Sequence, residues 1–196
     1  MTTHTQSEDK LRELILLIAA VSERDESFGA IKLNKLLFNA DFNAYLKWGK
    51  SISGQPYFAL ENGPAPKAMK PLTKEMVKKQ ELVILKREYY GEIQHKPIAL
   101  RSANLGVFSR DELHLVHSIV AHYVGKSAKE MSEESHEFLG WLAARPQEEI
   151  PYEVALVGTR GPTLNEIARG LELESMAQEC LVHNASRKAK DDNRRG

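Results

Sequence analysis

Cysteine is nearly absent from this sequence, and its scarcity limits the chemistry that the chain can perform. The single cysteine among 196 residues is Cys180. An intrachain disulfide and a zinc site built from several cysteines are therefore both excluded. A chain without disulfides suits the reducing cytosol.

Long apolar runs are also missing. The longest apolar patch, from Leu14 to Val21, is far shorter than the roughly 20 residues that a membrane-spanning helix needs. The polar segment from Thr2 to Lys10 has no apolar core of the kind found in a secretory signal. We therefore expect a cytoplasmic protein that has no membrane partner.

The chain has no excess of either charge. Its 27 basic and 27 acidic residues cancel, so the field of the whole molecule gives no argument for nucleic-acid binding. Hydrophobic residues make up 42% of the chain, which is enough for a sizeable core. This length fits one domain, or one domain with a helical extension.

Apolar periodicity predicts two helices in the first 48 residues. Beginning near Ser7, a first helix carries apolar residues three and four positions apart on one stripe: Leu11, Leu14, Ile15, Ile18 and Val21. A second helix from about Ile31 to Trp48 is apolar around much of its circumference, which is typical of a helix at the centre of a core. Gly49 fits its carboxyl end.

Extended segments are predicted after this helix. Tyr57 to Leu60 is a short strand, and Gly63-Pro64-Ala65-Pro66 is a rigid corner, because each proline fixes its own φ and restricts the residue before it. A helix from about Pro66 to Lys79 follows. The runs Leu82–Arg87 and Ile93–Arg101 are interpreted as a hairpin around Tyr89-Tyr90-Gly91.

The second half of the chain begins with two capping boxes. Ser109 with Glu112 predicts a helix with apolar positions Leu113, Val116, Val120 and Val124. Ser127 with Glu130 predicts a further helix that continues through the SHEFLGWL segment. A last helix is expected from near Thr163, and a charged, disordered tail at 185–196.

These elements predict a mainly helical α+β fold. We expect a single-domain helical bundle over residues 8–184, in which the part from about residue 109 packs on the first half. A small antiparallel sheet would form from the Tyr57, Leu82 and Ile93 runs. The order helix, strand, helix, hairpin is also that of a winged helix.

Lysines recur along the predicted third helix. Lys67, Lys70, Lys74 and Lys78 are spaced three, four and four residues apart, which places them on one helix face. Such a face could contact phosphates or an acidic partner surface, or it could simply be solvated. It carries no Arg, Asn or Gln suited to reading base edges, which argues against sequence-specific DNA binding.

Asp41 lies within an aromatic stripe formed by Phe38, Phe42 and Tyr45. A carboxylate at this position belongs to a buried network or to a partner-binding pocket, or it is a residue at the boundary between core and surface that accepts hydrogen bonds from the Ser51–Gly54 loop. A buried carboxylate needs a Lys, Tyr or backbone donor nearby.

Metal and catalytic sites have little support in the sequence. Asp111, His114 and His117 have helical spacing that could provide three metal ligands, although boundary histidines show the same spacing. Cys180 and His183 form a thiol–imidazole pair with no third group to orient the imidazole. Ser135 and His136 are adjacent, so their side chains diverge on a helix. We expect no enzyme activity, no metal and no cofactor.

A series of short motifs runs through residues 11–156. It begins with Lys-Leu-x-Lys-Leu-Leu-Phe at Lys32–Phe38 and ends with Ile-Pro-Tyr-Glu at Ile150–Glu153. Its positions are Lys32, Leu36, Phe38, Asp41, Phe42, Tyr45, Gly54, Tyr57, Gly63, Pro64, Pro66, His136, Trp141, Pro151 and Tyr152. In this order the motifs resemble the Panacea family, also called the SocA-like or antitoxin-associated domain. Asn39 departs from the family pattern, since members often carry an aromatic or aliphatic residue there.

The resemblance implies an antitoxin that neutralises a partner toxin by protein–protein binding, without enzyme activity. A second hypothesis is a winged-helix-like DNA-binding regulator that uses the face from Lys67 to Lys78. A third, a hydrolase-like enzyme, rests only on the residue pairs described above. The sequence leaves open whether the helix near Thr163 pairs two copies of the chain.

Overall fold

A computed structural model describes residues 6–136 and 138–157, and within them it confirms a mainly helical α+β fold. The predicted helix near Thr163 and the predicted tail at 185–196 lie outside the described residues. The helices are α1 (Gln6–Val21), α2 (Ala30–Trp48), α3 (Met69–Lys78), α4 (Arg110–Tyr123), α5 (Ala128–His136) and α6 (Leu139–Ala143). The strands are β1 (Tyr57–Leu60), β2 (Gly63–Pro66), β3 (Leu82–Tyr89), β4 (Glu92–Ala99) and β5 (Glu149–Ile150). Two short 3₁₀ helices cover Leu105–Val107 and Tyr152–Leu156.

Helices α1 and α2 form the centre of the main core, as the apolar patterns predict. The predicted stripe of α1 is buried from Leu11 to Ile18, and it belongs to one hydrophobic cluster with Leu33, Leu36 and Leu37 of α2. Val21 is the exception: as the last residue of α1 its side chain is 38% exposed. Gly49 ends α2 in the left-handed region with φ 68°, and its N–H donates to the Tyr45 carbonyl at 2.8 Å.

The strands form two separate sheets, so the prediction of a single small sheet was wrong. One sheet has three antiparallel strands in the order β2-β1-β5, and the other is the β3–β4 hairpin. Strand β1 pairs with Glu149–Ile150, which follow it by about ninety residues. Two residues carry no recognisable strand pattern, and only the folded chain brings them beside β1.

The Gly63–Pro66 segment is a strand and not the predicted corner. It is the edge strand β2, its four residues are buried, and it pairs with β1 in the register Leu60↔Gly63 to Tyr57↔Pro66. The fixed φ of proline is compatible with an extended chain, and edge strands tolerate a missing N–H. Helix α3 consequently begins at Met69, three residues later than predicted.

The predicted hairpin is confirmed around Tyr90-Gly91. Both residues have positive φ, 49° and 80°, as a two-residue type I′ turn requires. Strands β3 and β4 then pair over eight residues each.

Both predicted capping boxes are present. The Glu112 carboxylate accepts from the Ser109 N–H at 2.8 Å, while the Glu112 N–H donates to the Ser109 hydroxyl oxygen at 3.2 Å. Glu130 and Ser127 exchange the same two bonds, at 2.7 and 3.2 Å. Each box satisfies backbone donors that the first turn of a helix leaves unpaired.

Two details of the second half differ from prediction. The buried stripe of α4 is Leu115, Val116, Ile119 and Val120, whereas Val124 lies beyond the helix and is 59% exposed. The helix predicted through SHEFLGWL is interrupted, because α5 ends at His136 and α6 begins at Leu139. Phe138 between them is extended, with ψ 119°, and this places its ring in a second hydrophobic cluster.

Candidate partner-binding groove

The lysine-rich helix α3 presents three of the four predicted lysines on one exposed face. Lys70, Lys74 and Lys78 lie within the helix and are exposed. Lys67 precedes the first helical residue, so its predicted place on that face was wrong. Its Nζ lies 5.4 Å from the centroid of the Phe58 ring.

The opposite side of α3 fixes the orientation of the helix. Met69, Leu72 and Met76 are buried in the main core. The carboxylate of Glu75 accepts from the buried Arg12 guanidinium at 2.9 Å and from Lys79 Nζ at 2.6 Å. The only acidic residue of α3 therefore pairs with buried Arg12 and with exposed Lys79.

An open groove of about 440 Å³ lies between the amino end of α2, helix α3 and the β3–β4 hairpin. We call it the α3 groove. Its apolar surface comes from all three elements, and Lys70 and Lys74 contribute the charged part of its lining. The lining residues are Ala30, Leu33, Asn34, Met69, Lys70, Thr73, Lys74, Val77, Ile84 and Pro97.

The hairpin extends the basic character of this region. Ile84 and Pro97 are cross-strand partners that line the groove. Side chains alternate along a strand, so the next pair on the same face is Lys86 with His95. Both are exposed. Exposed Glu88 is one further pair along, towards the turn.

One polar group in the wall of the groove is left unsatisfied. The Asn34 Oδ1 atom is buried and has no hydrogen-bond partner within the described residues. Buried polar atoms are nearly always paired in native structures. The unpaired amide oxygen therefore distinguishes this wall from an ordinary core surface.

Asp41 lies in the interior, where the predicted hydrogen bonds to the Ser51–Gly54 loop are present. Its Oδ1 accepts from the Ser53 N–H at 2.7 Å, and its Oδ2 accepts from the Ser53 hydroxyl at 2.5 Å and the Tyr57 hydroxyl at 2.8 Å. The predicted boundary position was wrong, because Asp41 is 0% exposed. Burial raises the pKa of the Asp41 carboxyl, although these hydrogen bonds oppose the shift.

The aromatic stripe of α2 packs against the end of the described chain. The Phe42 and Tyr152 ring centroids are 4.7 Å apart, and Tyr45 stacks on Tyr152 at 5.5 Å. The Tyr152 hydroxyl donates to the Gln55 carbonyl at 2.6 Å. The ring of Phe138 also belongs to this cluster, with its centroid 5.1 Å from that of Phe38. The sequence did not indicate this role, because Phe138 lies inside a predicted helix.

Two other positions of the family pattern support the same cluster. Trp141 donates its indole N–H to the Leu60 carbonyl at 3.1 Å, which links α6 to β1. Pro151 is extended, with φ −61° and ψ 142°, and leads from β5 into the 3₁₀ helix that carries Tyr152. These contacts hold the second half of the domain on α2.

Lys32 occupies a buried socket between α2 and the end of α4. Its Nζ donates to Asp25 Oδ2 at 2.6 Å, the Ser27 hydroxyl at 2.7 Å, and the carbonyls of Tyr123 at 2.8 Å and Lys126 at 2.7 Å. The side chain is 1% exposed. This position of the family pattern therefore ties the α1–α2 connection to the carboxyl end of α4.

A second buried lysine, Lys35, was not recognised as an interior residue from the sequence. Its Nζ donates to the carbonyl of Asn62 in the turn between β1 and β2. Burial lowers the pKa of Lys35 to about 8. Its position three residues after Lys32 on the most apolar helix is the signal that could have identified it.

The remaining positions of the pattern have backbone or packing roles. Leu36 belongs to the main core. Gly54 has φ 67°, a left-handed conformation that favours glycine. Asn39, which departs from the pattern, donates from its amide to the Lys35 carbonyl at 2.9 Å.

The candidate metal ligands on α4 do not form a metal site in the described part of the chain. His114 and His117 are exposed on α4, and the described residues contain no group of three possible metal ligands. Cys180, His183 and the side chains of Ser135 and His136 lie outside the described part of the chain. Among the helices of the described part, none is long and apolar enough to cross a membrane.

Comparison with known proteins identifies the family. The model of the family described as antitoxin SocA-like, Panacea domain, matches residues 33–142, more than half of the chain. No curated protein and no solved structure matches the chain significantly. The matched span contains most of α2 with Asp41, all of α3 and the β3–β4 hairpin, and it begins one residue after Lys32. The chain therefore belongs to the antitoxin SocA-like, Panacea domain family.

Proposed function

We propose that this protein is an antitoxin that neutralises a cognate toxin by binding it directly in the cytoplasm. The observation that carries the proposal is the match of an antitoxin family model to residues 33–142. That span includes nearly every residue of the α3 groove, an open surface with both apolar and cationic side chains. A surface of this kind suits a protein partner.

The mechanism that we propose is stoichiometric occlusion of the working surface of the toxin. Phe38 and Phe42 are buried in the second hydrophobic cluster, so they stabilise the scaffold and do not contact the partner. The exposed lysines of α3 and the apolar lining beside them are available for contact. Binding alone would then suffice, with no reaction carried out by the antitoxin.

Co-expression provides the direct test. The product of the open reading frame adjacent to this gene is placed under one inducible promoter, and this chain under an unrelated second promoter. Both native promoters are absent, so transcriptional repression cannot restore growth. We expect induction of the adjacent product to stop growth and induction of this chain to restore it.

The purified pair should also form a complex of fixed stoichiometry, measured by light scattering after size-exclusion chromatography. Restored growth without a complex would contradict direct binding. Failure of this chain to restore growth would contradict the antitoxin function itself.

A second candidate function is DNA binding by a winged-helix-like arrangement. The exposed lysines of α3 and the following hairpin, with Lys86 and His95 on one face, favour it. A gel shift with the promoter of its own operon tests this candidate. Binding through phosphate contacts should weaken steeply as the salt concentration rises, and a response that is flat between low and high salt would contradict it.

A further inference from the structure

We propose that the α3 groove binds an acidic amphipathic segment of the toxin. Apolar side chains of that segment would lie on the groove floor, and its carboxylates would pair with Lys70 and Lys74. This inference rests on the proposed antitoxin function and names the surface and the chemistry of the contact.

The apolar floor requires an apolar occupant. Leu33, Val77, Ile84 and Pro97 line the groove from three different elements, and the apolar side chain of Val77 is 40% exposed. The volume of about 440 Å³ lies within the range of natural ligand sites. An occupant that covers this floor removes apolar surface from water, which favours binding.

The charges beside the floor select an acidic occupant. Lys70 and Lys74 line the groove, and neither forms an ion pair with any of the described residues. Lys86 and His95 continue this basic surface along the hairpin. A segment with carboxylates flanking an apolar stripe would be complementary to both parts of the groove, and the charges would also accelerate its association.

The same features favour a polypeptide over a nucleic acid. Phosphate backbones are recognised by cationic and polar groups, and they would leave the apolar floor exposed. The exposed face of α3 presents lysines without the Arg, Asn or Gln side chains that commonly read base edges. A peptide that places alternate apolar and acidic residues in a groove uses both kinds of lining.

Two variants test the two parts of the groove. Val77→Asp puts a carboxylate on the apolar floor, and Lys70→Glu/Lys74→Glu reverses the charge beside it. The matched controls are Val77→Ile, which keeps the apolar surface, and Lys47→Glu/Lys50→Glu. Lys47 is exposed near the far end of α2, about 21 Å along the helix from Leu33 at 1.5 Å per residue.

Binding is measured by isothermal titration calorimetry with the purified product of the adjacent open reading frame. We expect each test variant to raise the Kd at least tenfold, and each control to stay within twofold of the wild type. Thermal melting followed by circular dichroism checks that Val77→Asp is folded. The lysine double variant alters only exposed side chains, so the test does not depend on Val77→Asp alone.

A photo-crosslink identifies the occupant. We expect p-benzoylphenylalanine in place of Thr73, which lines the groove, to crosslink to a toxin peptide that contains several Asp or Glu residues. The same group at Lys47 should not crosslink to that peptide. A crosslinked peptide without acidic residues would overturn the inference.

The outcomes separate this inference from the proposed function. If the wild type binds the toxin and both test variants bind equally well, the groove is not the contact surface, while the antitoxin function stands. If Lys70→Glu/Lys74→Glu abolishes the promoter gel shift but leaves the Kd for the toxin unchanged, these lysines bind nucleic acid, and the inference is wrong. If the wild type neither binds the toxin nor restores growth, the proposed function fails first.

Discussion

Replacement of Lys32 by methionine should strongly destabilise the fold. The ammonium group is buried and donates to Asp25, Ser27 and the carbonyls of Tyr123 and Lys126, all within 2.8 Å. Methionine fills a similar volume, so packing is largely kept. What is lost is the positive charge, together with every hydrogen bond that it donates.

The expected loss follows from the charge that remains. Removing one partner of a buried ion pair costs about 3–5 kcal/mol, because the other charge is left uncompensated. Asp25 would be that charge, and two backbone carbonyls would lose a donor. For a chain of this size each kcal/mol corresponds to about 2–4 °C in Tm, so Lys32→Met should lower the Tm by about 6–20 °C.

Thermal and urea unfolding of the purified full chain measure this loss. Lys47→Met removes an exposed lysine from the same helix and should change the free energy of unfolding by less than about 0.5 kcal/mol. The double variant Lys32→Met/Asp25→Asn should be more stable than the two single losses predict by addition, because it leaves no unpaired charge.

The pH dependence provides an independent check. Burial raises the pKa of Asp25, but its hydrogen bonds to Lys32 and Ser27 outweigh this effect, and the pKa of Asp25 is lowered. A lowered carboxyl pKa stabilises the fold above the pKa of the unfolded chain, and this stabilisation is lost as the pH falls through the folded value. The difference in Tm between the wild type and Lys32→Met should therefore decrease as the pH is lowered. This reasoning would be refuted if the Tm of Lys32→Met lay within 3 °C of the wild type at pH 7, or if the difference in Tm stayed constant as the pH was lowered.

Three further predictions concern buried ionisable groups. Asp41→Ala should lower the free energy of unfolding by about 1–3 kcal/mol in urea denaturation, because the Tyr57 hydroxyl loses its buried acceptor; an unchanged midpoint would contradict it. Burial lowers the pKa of Lys35 to about 8, so above that pH the unfolded chain binds more protons than the folded one. The free energy of unfolding of the wild type should therefore rise by about 1–2 kcal/mol relative to that of Lys35→Met between pH 8 and 9.5. Parallel plots of this free energy against pH for the two proteins would disprove the assignment. Burial raises the pKa of Glu13, but its hydrogen bonds to Arg101 and to a backbone N–H lower it overall. As the pH falls through the pKa of the folded carboxyl, the wild type should therefore lose more stability than Glu13→Gln. Equal losses would show that the Glu13–Arg101 pair does not cause this pH dependence.

The features that the sequence predicted well are local ones. The capping box at Ser109 and Glu112, the left-handed Gly49 and the turn at Tyr90-Gly91 each depend on residues within a few positions of one another. Backbone geometry and short-range hydrogen bonds determine these features. The apolar spacing of α1 and α2 likewise depends on helical periodicity alone, and it located the core.

The features that the sequence did not predict depend on distant residues. Strand β5 forms because Glu149 and Ile150 meet β1, and Phe138 joins the Phe38 cluster because the helix stops before it. Gly63–Pro66 is a local exception: only two residues separate it from its partner β1, but its two prolines favour a corner as readily as an edge strand.

The candidate site was predicted only in part. The lysines of α3 were visible in the sequence, and three of them are exposed as expected. The α3 groove was not visible, because its walls come from α2, α3 and the hairpin. Asp41 was marked by its aromatic neighbours. The place of Lys35 on the apolar helix α2 was a comparable signal, but its acceptor, the Asn62 carbonyl, lies in the β1–β2 turn and could not be inferred from the helix alone.

The two prolines of strand β2 also limit how copies of this protein can associate. Leu60 and Gly63 close a two-residue turn, so they form a hydrogen-bonded pair, and such pairs alternate along antiparallel strands. The nitrogens of Pro64 and Pro66 then face away from β1, on the side where a further strand would have to dock. Neither nitrogen carries a hydrogen, so this border of the sheet offers no donors to an incoming chain. The opposite border, β5, is only two residues long. Edge-to-edge association of copies through this sheet is therefore disfavoured, even at the high protein concentrations that accompany overexpression.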